Sequence, residues 1–454
     1  MNFNQNEKLS QVTESTLVVG VDIAGETHWA RCFDWRGIEL GKVFKFENSK
    51  EGFEAFDSWV YDLKARNNKV AVIVGAEPTG HYWLNFASYL KESNVAKKEV
   101  GVNKKVVAAE ENSGIKLVLV NPYHVKRSKE FDDNNQSKTD YKDPKTIAKL
   151  VCEGRYNEPY IPEGIYADLR SIMECRNRIS KDLKRLKNRL QKWVAVYFPE
   201  FKGAYSKIDT VSGLLVLENT PLPQDIVAIG AEGIRQIWKA VKLKGVGIKK
   251  AASLYEAALN SIGCKEGIYG ARFEIKTLLS EFRIKSEQYS QVMVEVENLV
   301  SQISNADKLL SIQGVGIATV AGFISEIGDI RRFNSPKQIQ KLAGLALRHN
   351  SSGKHKGRTS ISKRGRARLR LVLFQGILPL VAKNKDFAEI HSYYTRRAKN
   401  PLKPKQSLIA LSCKLIRIFY AILTKGCDYD PVKMASDIHR PDFSQKLGDC
   451  MLVA

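Results

Sequence analysis

The sequence lacks the features that mark secreted, redox-active or membrane-spanning proteins. Its 454 residues include seven scattered cysteines and no C-x-x-C pair, so neither a zinc knuckle nor a redox motif is indicated and reduced thiols are expected. The polar N-terminus has neither the apolar segment nor the cleavage site of a secretion signal. We find no apolar run of the roughly 18–20 residues that span a bilayer. These absences favour a cytoplasmic protein without a membrane partner.

The chain also has fewer acidic than basic residues. The chain has 72 Lys and Arg against 49 Asp and Glu, which gives a formal net charge of +23. Such a balance favours a polyanionic partner, of which nucleic acid is the commonest, with a membrane surface as the alternative. A hydrophobic content of 43% is sufficient for packed cores, and the length predicts two or three domains.

The first part of the chain alternates strand-like and helix-like segments. After a disordered lead-in at residues 1–15, short β-branched runs predict strands, and apolar positions spaced by three or four predict helices. The helix after the Glu77 motif is expected at 81–91, and the charged segment 97–114 is expected to be a loop or an irregular hairpin. A mixed sheet covered by helices over residues 16–160 fits an α/β domain of the RNase H-like type.

The rest of the chain reads as mainly helical. Two long amphipathic helices, near 166–198 and 273–303, predict an antiparallel hairpin or a coiled-coil dimer interface. They bracket an inserted small domain near 203–265. A C-terminal domain at 308–430 opens with Gly314-Val315-Gly316, which resembles a helix-hairpin-helix turn that grips a phosphate, although an ordinary interhelical turn explains it equally well. The tail 431–454 carries no signal.

Four carboxylates form the first candidate site. Asp22 and Glu77 each follow a buried-looking apolar run, and Asp140 and Asp143 lie three residues apart in one short segment. Hard divalent cations prefer carboxylate oxygens, and they polarise a phosphodiester when bound beside it. Two structural alternatives stay open. Asp22 could be a strand-end turn residue, and Asp143 could be the N-cap of a helix that has Pro144 in its first turn.

A serine-rich turn followed by a basic run forms the second candidate site. Ser351 and Ser352 precede eight basic residues and a helix of apolar pattern. One interpretation is that a serine hydroxyl attacks phosphorus while neighbouring cations neutralise the transition state. The alternative is a loop whose serines, cations and histidines (His349 and His355) only position a phosphate backbone. The predicted nucleic-acid-binding residues are Lys354, Lys356, Arg358, Lys363, Arg364, Arg366, Arg368 and Arg370.

In these motifs the chain resembles the DEDD-type transposases of bacterial insertion-sequence family 110, including its 1111 subgroup, which are also called pilin-invertase-like or bridge-RNA-guided recombinases. The N-terminal match consists of Gly20-Val21-Asp22, Glu77-Pro78-Thr79-Gly80-His81-Tyr82 and Lys138-Thr139-Asp140-x-x-Asp143. The C-terminal match consists of Gly314-Val315-Gly316, Ala343-Gly344-Leu345, Ser352-Gly353, Ile361-Ser362-Lys363-x-Gly365 and Leu369-Arg370.

The resemblance implies a RuvC-like N-terminal domain (16–160), a coiled-coil connector (161–307) and a C-terminal transposase domain (308–430). It assigns Mg²⁺ or Mn²⁺ binding to Asp22, Glu77, Asp140 and Asp143, and the covalent nucleophile to Ser352. It also implies a structured non-coding bridge RNA that pairs with donor and target DNA, and a tetramer arranged as a dimer of dimers. A phosphoserine link and a Holliday junction would be the intermediates. The expected location is the prokaryotic cytoplasm, at the nucleoid.

Three hypotheses follow for function. The leading one is an RNA-guided DNA recombinase that needs both the carboxylates and Ser352. The second is a RuvC-like nuclease or junction resolvase that uses metal-activated water and does not need Ser352. The third is a non-catalytic nucleic-acid-binding scaffold, which accounts for the basic charge and the long helices but leaves the carboxylates without a purpose.

Overall fold

The protein was analysed as a computed structural model that describes residues 5–78, 80–102, 114–133, 142–348, 351–352, 355–357, 359–436 and 438. The chain divides into two compact units, Met1–Ile161 and Pro162–Ala454. The first is built on a mixed sheet and the second is mainly helical, which confirms the predicted order of an α/β region followed by a helical one.

The N-terminal unit contains one six-stranded sheet in the order β3-β2-β1-β4-β5-β6. Its strands are β1 (Thr16–Asp22), β2 (Thr27–Phe33), β3 (Phe44–Glu47), β4 (Ala71–Ala76), β5 (Ile115–Val120) and β6 (Tyr156–Asn157). Strands β1, β2 and β3 pair antiparallel, whereas β4 pairs parallel with both β1 and β5. Because β1 and β4 are buried on both faces, their sequences are almost continuously apolar.

Helices cover both faces of this sheet. They are α1 (Gln5–Leu9), α2 (Lys50–Arg66), α3 (Trp83–Val102), α4 (Pro122–Asp133) and α5 (Asp143–Cys152). Phe56 of α2 and Phe86 of α3 pack with Val19 and Val21 of β1 on one face. Ile147 and Val151 of α5 pack with Val18 and Ile73 on the other.

The prediction of a loop or hairpin from residue 97 is wrong for its first part, because α3 continues to Val102. The charged residues here are mostly Lys and Glu, which are good helix formers, so a charged stretch alone does not end a helix. Residues 103–113 lie outside the described chain.

The C-terminal unit is organised around two long antiparallel helices, α6 (Ile165–Tyr197) and α11 (Ile268–Ser301). In the first half of α6 and the second half of α11, the Arg176 guanidinium donates to the Tyr289 hydroxyl at 2.7 Å. Near the end of α6 and the start of α11, the Trp193 indole N–H donates to the Ala271 carbonyl at 3.0 Å. The long helix pair is therefore present and antiparallel, while its coiled-coil character stays a prediction.

Four helices of the insertion pack on one end of this pair, and the remaining helices pack on the other. The insertion contains α7 (Phe201–Ala204), α8 (Val211–Asn219), α9 (Pro223–Ala240) and α10 (Ile248–Leu259). The C-terminal helices are α12 (Ala306–Leu310), α13 (Ile317–Ile327), α14 (Pro336–Leu342), α15 (Ala367–Lys383), α16 (Lys385–Arg396), α17 (Pro404–Lys425) and α18 (Pro431–Ala435), with a 3₁₀ turn at Ile330–Arg332. Each group has its own apolar core.

Helix α17 corrects one sequence expectation. By length and composition it is apolar enough to cross a membrane, although no such run was expected. Leu411, Leu415 and Phe419 of this helix are fully buried in the core formed with α13 and α15, and other apolar residues of the helix, such as Ile409 and Leu423, pack against that core. Within the described chain it therefore packs as a core helix of this unit.

Candidate active site

Asp22 and Glu77 lie next to each other at one edge of the sheet. Asp22 is the last residue of β1, and Glu77 directly follows β4. The two strands are parallel neighbours, and Val21 of β1 is opposite Ala76 of β4. The acidic residues Asp22 and Glu77 each come directly after this pair, so they lie side by side. Both acidic residues are half-buried. The alignment arises from the strand register, and it brings together two acids that are 55 positions apart in sequence.

A pair of glycines lets α5 approach the face of the sheet toward which Asp22 points. Gly20 and Gly75 are register partners on β1 and β4. A Cβ on Gly20 would lie 1.8 Å from the Pro144 carbonyl oxygen, and one on Gly75 would lie 2.6 Å from Val151. Because side chains alternate along a strand, Gly20 and Asp22 share a face. The start of α5 is thereby held close to the strand-end acids.

Asp143 is the first residue of α5 and lies directly before Pro144. It is buried, and its Oδ1 pairs with the Lys129 ammonium of α4. The N-cap prediction for Asp143 is wrong, because Lys142 occupies the N-cap position and no side chain caps this helix. Asp140 lies outside the described residues.

A histidine that the sequence did not single out supports the chain after Asp22. The His28 imidazole is fully buried, and its Nδ1 accepts the Ala24 backbone N–H at 3.2 Å. Burial lowers the pKa of His28 below its ordinary value, and the Asn48 side chain opposes that shift. The neutral ring can therefore serve as an acceptor. A lone histidine in a strand gives no sequence signal for this contact.

The carboxylates suit a hard divalent cation in their chemistry. Among the described residues, no three His, Cys, Asp or Glu side chains stand close enough to form a metal cluster. However, Mg²⁺ usually takes only one or two protein carboxylates and completes its shell with water and substrate oxygens. Asp22 and Glu77, which the strand register places side by side, supply two such carboxylates.

The candidate serine lies in a nested β-hairpin of the C-terminal unit. The outer pair joins β7 (Leu347–Arg348) to β10 (Ser360–Ile361), and the inner pair joins β8 (Ser351–Ser352) to β9 (His355–Lys356). In the inner ladder Ser352 is opposite His355. The sequence predicted a flexible turn here, and the structure instead places Ser352 in a short strand.

Backbone contacts hold the base of this hairpin together. The Ser362 N–H donates to the Ala346 carbonyl at 2.8 Å, and the Arg366 N–H donates to the Leu342 carbonyl at 2.7 Å. Gly365 has a φ of 140°, and a Cβ there would lie 2.3 Å from the Leu342 oxygen. Only glycine fits such a conformation and such an approach. The hairpin is therefore anchored to α14 and α15.

Three of the predicted nucleic-acid-binding residues contact the protein itself. Arg366 donates to the carbonyl oxygen of Glu326 and lies 3.6 Å from its carboxylate, which is buried in α13. Arg370 donates to the Ala343 carbonyl at 2.8 Å. Arg368 lies 3.3 Å from the Glu174 carboxylate.

The other predicted basic residues divide into two groups. Lys363 and Arg364 are exposed, and Lys363 has a positive φ of 54°. Lys354, Arg358 and His349 lie outside the described residues, and only the backbone of Lys356 is described. Exposed cations at the base of the hairpin suit phosphate contacts better than the three internally bonded arginines do.

Comparison with known proteins identifies two family matches. A model of the DEDD type of IS110 transposase matches residues 19–199, and one described as "Transposase IS116/IS110/IS902 family" matches residues 306–395. The first match contains all four predicted carboxylates, and the second contains the nested hairpin and its anchor.

Individual relatives agree with these matches. The transposase for insertion sequence element IS1111A of Coxiella burnetii is 26% identical over 34% of this chain and 43% of its own length. The pilin gene-inverting protein of Moraxella bovis is 28% identical over 31% of this chain and 46% of its own length. A putative transposase of Sinorhizobium fredii is 25% identical over 69% of this chain and 72% of its own length. The chain thus spans less than half the length of the first relatives it matches. Together with the two family matches, these relatives show that the chain belongs to the IS110/IS1111 family of insertion-sequence transposases.

Proposed function

We propose that this chain is an RNA-guided transposase that cuts and rejoins donor and target DNA through a phosphoserine intermediate. The observation that carries the proposal is the register pair of Asp22 and Glu77, with Asp143 at the start of the helix packed on the same face. Three antiparallel strands followed by parallel ones, in the order β3-β2-β1-β4-β5, support an RNase H-like fold for this unit.

In this proposal Asp22, Glu77, Asp140 and Asp143 hold one or two Mg²⁺ or Mn²⁺ ions. A bound ion would polarise the scissile phosphate and lower the pKa of an attacking hydroxyl. The Lys129 ammonium pairs with the buried Asp143 carboxylate at the start of α5 and so balances its charge.

The covalent step assigns a nucleophile to the anchored hairpin. The Ser352 oxygen forms a bond to phosphorus while the bond from phosphorus to the oxygen of the leaving strand breaks. The serine proton passes to a base, and the leaving oxygen takes up a proton. Rejoining reverses this sequence with the hydroxyl of a different strand. Exposed cations such as Lys363 and Arg364 would neutralise phosphate charge beside the hairpin.

The remaining parts of the proposal concern partners. The bridge RNA would supply sequence recognition by base pairing, as guide RNAs do elsewhere. The net charge of +23 supports a polyanionic partner without identifying which one. A tetramer, with the long helix pair α6–α11 acting as a coiled-coil element between subunits, completes the proposed assembly.

The decisive test of the chemistry is trapping of a protein–DNA adduct. The full chain, expressed with the native DNA that flanks its gene, is quenched in denaturant and the phosphorylated residue is mapped by mass spectrometry. We expect Ser352→Ala to reduce adduct to background, whereas Ser351→Ala, its neighbour in the same strand, should retain it. Asp143→Asn should abolish both adduct and nicking.

Three results would change the assignment. Normal recombination by Ser352→Ala would contradict the serine nucleophile and favour the resolvase that uses water. Adduct on Ser351 would move the nucleophile by one residue. Nucleic-acid binding with no cleavage under any divalent metal, unaffected when all four carboxylates are changed, would support the non-catalytic scaffold.

RNA guidance requires its own measurement. The chain is purified with and without its flanking DNA in the expression plasmid, washed at high salt, and the bound RNA is sequenced. We expect one structured RNA from the flank to be retained. Recovery of random cellular RNA alone would contradict guidance and leave an unguided recombinase.

A further inference from the structure

The chain contains the same Gly-Val-Gly-Ile pattern at two helix–helix junctions. Residues 243–248 join α9 to α10, and residues 312–317 join α12 to α13. In both turns the first glycine has a positive φ, of 81° at Gly245 and 97° at Gly314. In both, the second glycine is extended and immediately precedes a helix. We call residues 243–248 the open turn and residues 312–317 the packed turn.

The two glycines of the open turn are exposed, whereas the helices on either side of it pack into a core. A Cβ on Gly245 or Gly247 would meet nothing within 4 Å. On either side, Trp238 of α9 and Ala251 of α10 are buried in the core of the insertion. The Trp238 indole N–H also donates to the Ser212 carbonyl at 3.1 Å. Leu243 and Val246 of the turn pack partly against the same core, so the turn is held in place while its two glycines face open space.

The surface around this tip carries charge of one sign. Between Glu232 and Glu256 the sequence contains basic residues and no acidic ones. Arg235 pairs with Glu232 at 2.9 Å, and the Lys250 ammonium lies 4.1 Å from the centre of the Tyr205 ring. The other basic residues are exposed, and none forms an ion pair within the described chain. They are Lys239, Lys242, Lys244 and Lys249.

We infer that the open turn and its lysines form a DNA-contacting surface that binds the phosphate backbone of duplex DNA without reading its sequence. Uncompensated ammonium groups attract a polyanion, and backbone N–H groups beside glycines can approach a phosphate oxygen closely. The tip offers none of the planar Arg, Asn or Gln groups that read base edges, and its cations are lysines, whose flexible ammonium groups suit point contacts with phosphates. The exposed lysines and glycines support a polyanionic partner by themselves. Only the choice of DNA as that partner rests on the proposed function.

The test measures binding of the full chain to a random-sequence 30-base-pair DNA in EDTA, by fluorescence anisotropy over a range of salt. The variant carries Lys242→Gln, Lys244→Gln and Lys249→Gln. Each lost phosphate contact lowers the slope of log affinity against log salt by about 0.9, so we expect the slope to fall by about 2–3. The matched control changes three exposed lysines of the same insertion, Lys202, Lys207 and Lys265, to Gln.

The two triple variants remove the same charge, so their difference isolates the surface. A fall in slope confined to the open-turn variant supports the inference. Equal falls in both variants, or no fall in either, would overturn it. Weaker binding to duplex RNA with unchanged binding to duplex DNA would also overturn it.

A second variant tests the turn itself without changing charge. Gly247 has an extended φ of −141° and open space around it, so Gly247→Val is expected to fold normally. The added side chain should hold a phosphate away from the turn and weaken DNA binding by about tenfold, equivalent to the loss of one strong contact. Unchanged affinity would mean that the turn does not touch the backbone.

These measurements separate the inference from the proposed function. Binding in EDTA requires no cleavage, and adduct formation by Ser352 is scored independently on the same proteins. If adduct is lost in Ser352→Ala but the open-turn variant binds like the control, only the surface assignment fails. If the open-turn variant alone loses slope while no adduct forms in the parent chain, only the proposed chemistry fails.

Discussion

The open and packed turns share a sequence pattern and a backbone course, yet the surroundings of their first glycines differ. A Cβ at Gly314 would lie 2.9 Å from Leu380 Cα and 3.1 Å from the Pro379 carbonyl oxygen, both in α15. A Cβ at Gly245 would meet nothing. In the packed turn the glycine is required by a neighbouring helix, whereas in the open turn it is required only by its own φ. A Gly-Val-Gly motif therefore indicates a turn geometry, and its environment decides whether a ligand can reach it.

The largest effect is expected at the packed turn. Gly314→Ala would combine an unfavourable positive φ with contact against the α15 backbone, which cannot move as a side chain can. We expect the core of α13 and α15 to lose about 2–5 kcal/mol of unfolding free energy. Hydrogen exchange of the α15 amides measures this locally. Unchanged protection there would mean that α15 is not packed on the turn as described.

A smaller effect is expected at the open turn. Gly245→Ala would incur the cost of the positive φ alone, about 1–2 kcal/mol. Faster exchange should be confined to α9 and α10, with α15 unaffected. Gly247→Ala serves as the control, because its extended φ suits any residue and the change from glycine at a helix N-cap costs about 1 kcal/mol or less. Equal losses in Gly245→Ala and Gly314→Ala would remove the distinction between the two turns.

The sequence was sufficient to predict the carboxylate pair but not what surrounds it. The runs ending at Asp22 and Glu77 are β-branched and apolar because they are central strands, and a charge at the end of such a run is visible in sequence. The ion pair of Asp143 with Lys129 was not predictable, because it depends on how α4 packs against α5. The register that aligns the two acids likewise depends on pairing between distant strands.

The basic run illustrates the opposite case. Sequence alone grouped Arg366, Arg368 and Arg370 with the predicted nucleic-acid-binding residues, because eight cations in a short segment suggest one role. The structure gives Arg366 a partner in Glu326, a buried acid within the apolar helix α13. The reasoning that singled out Asp22 applies equally to Glu326, so this contact had a signal in the sequence. The burial of α17 had no signal in the sequence, because a core helix and a membrane helix can share length and composition.

The glycine pair beneath α5 has a consequence for how this enzyme family can vary or be rebuilt. A slip of one residue between β1 and β4 would place a valine or an alanine opposite one of the two glycines and close the space that α5 occupies. The two glycines therefore specify the strand register, and this register in turn aligns Asp22 with Glu77. A graft of the acidic residues onto another scaffold would need the glycine pair as well as the acids, because without the glycines the two carboxylates have no fixed alignment.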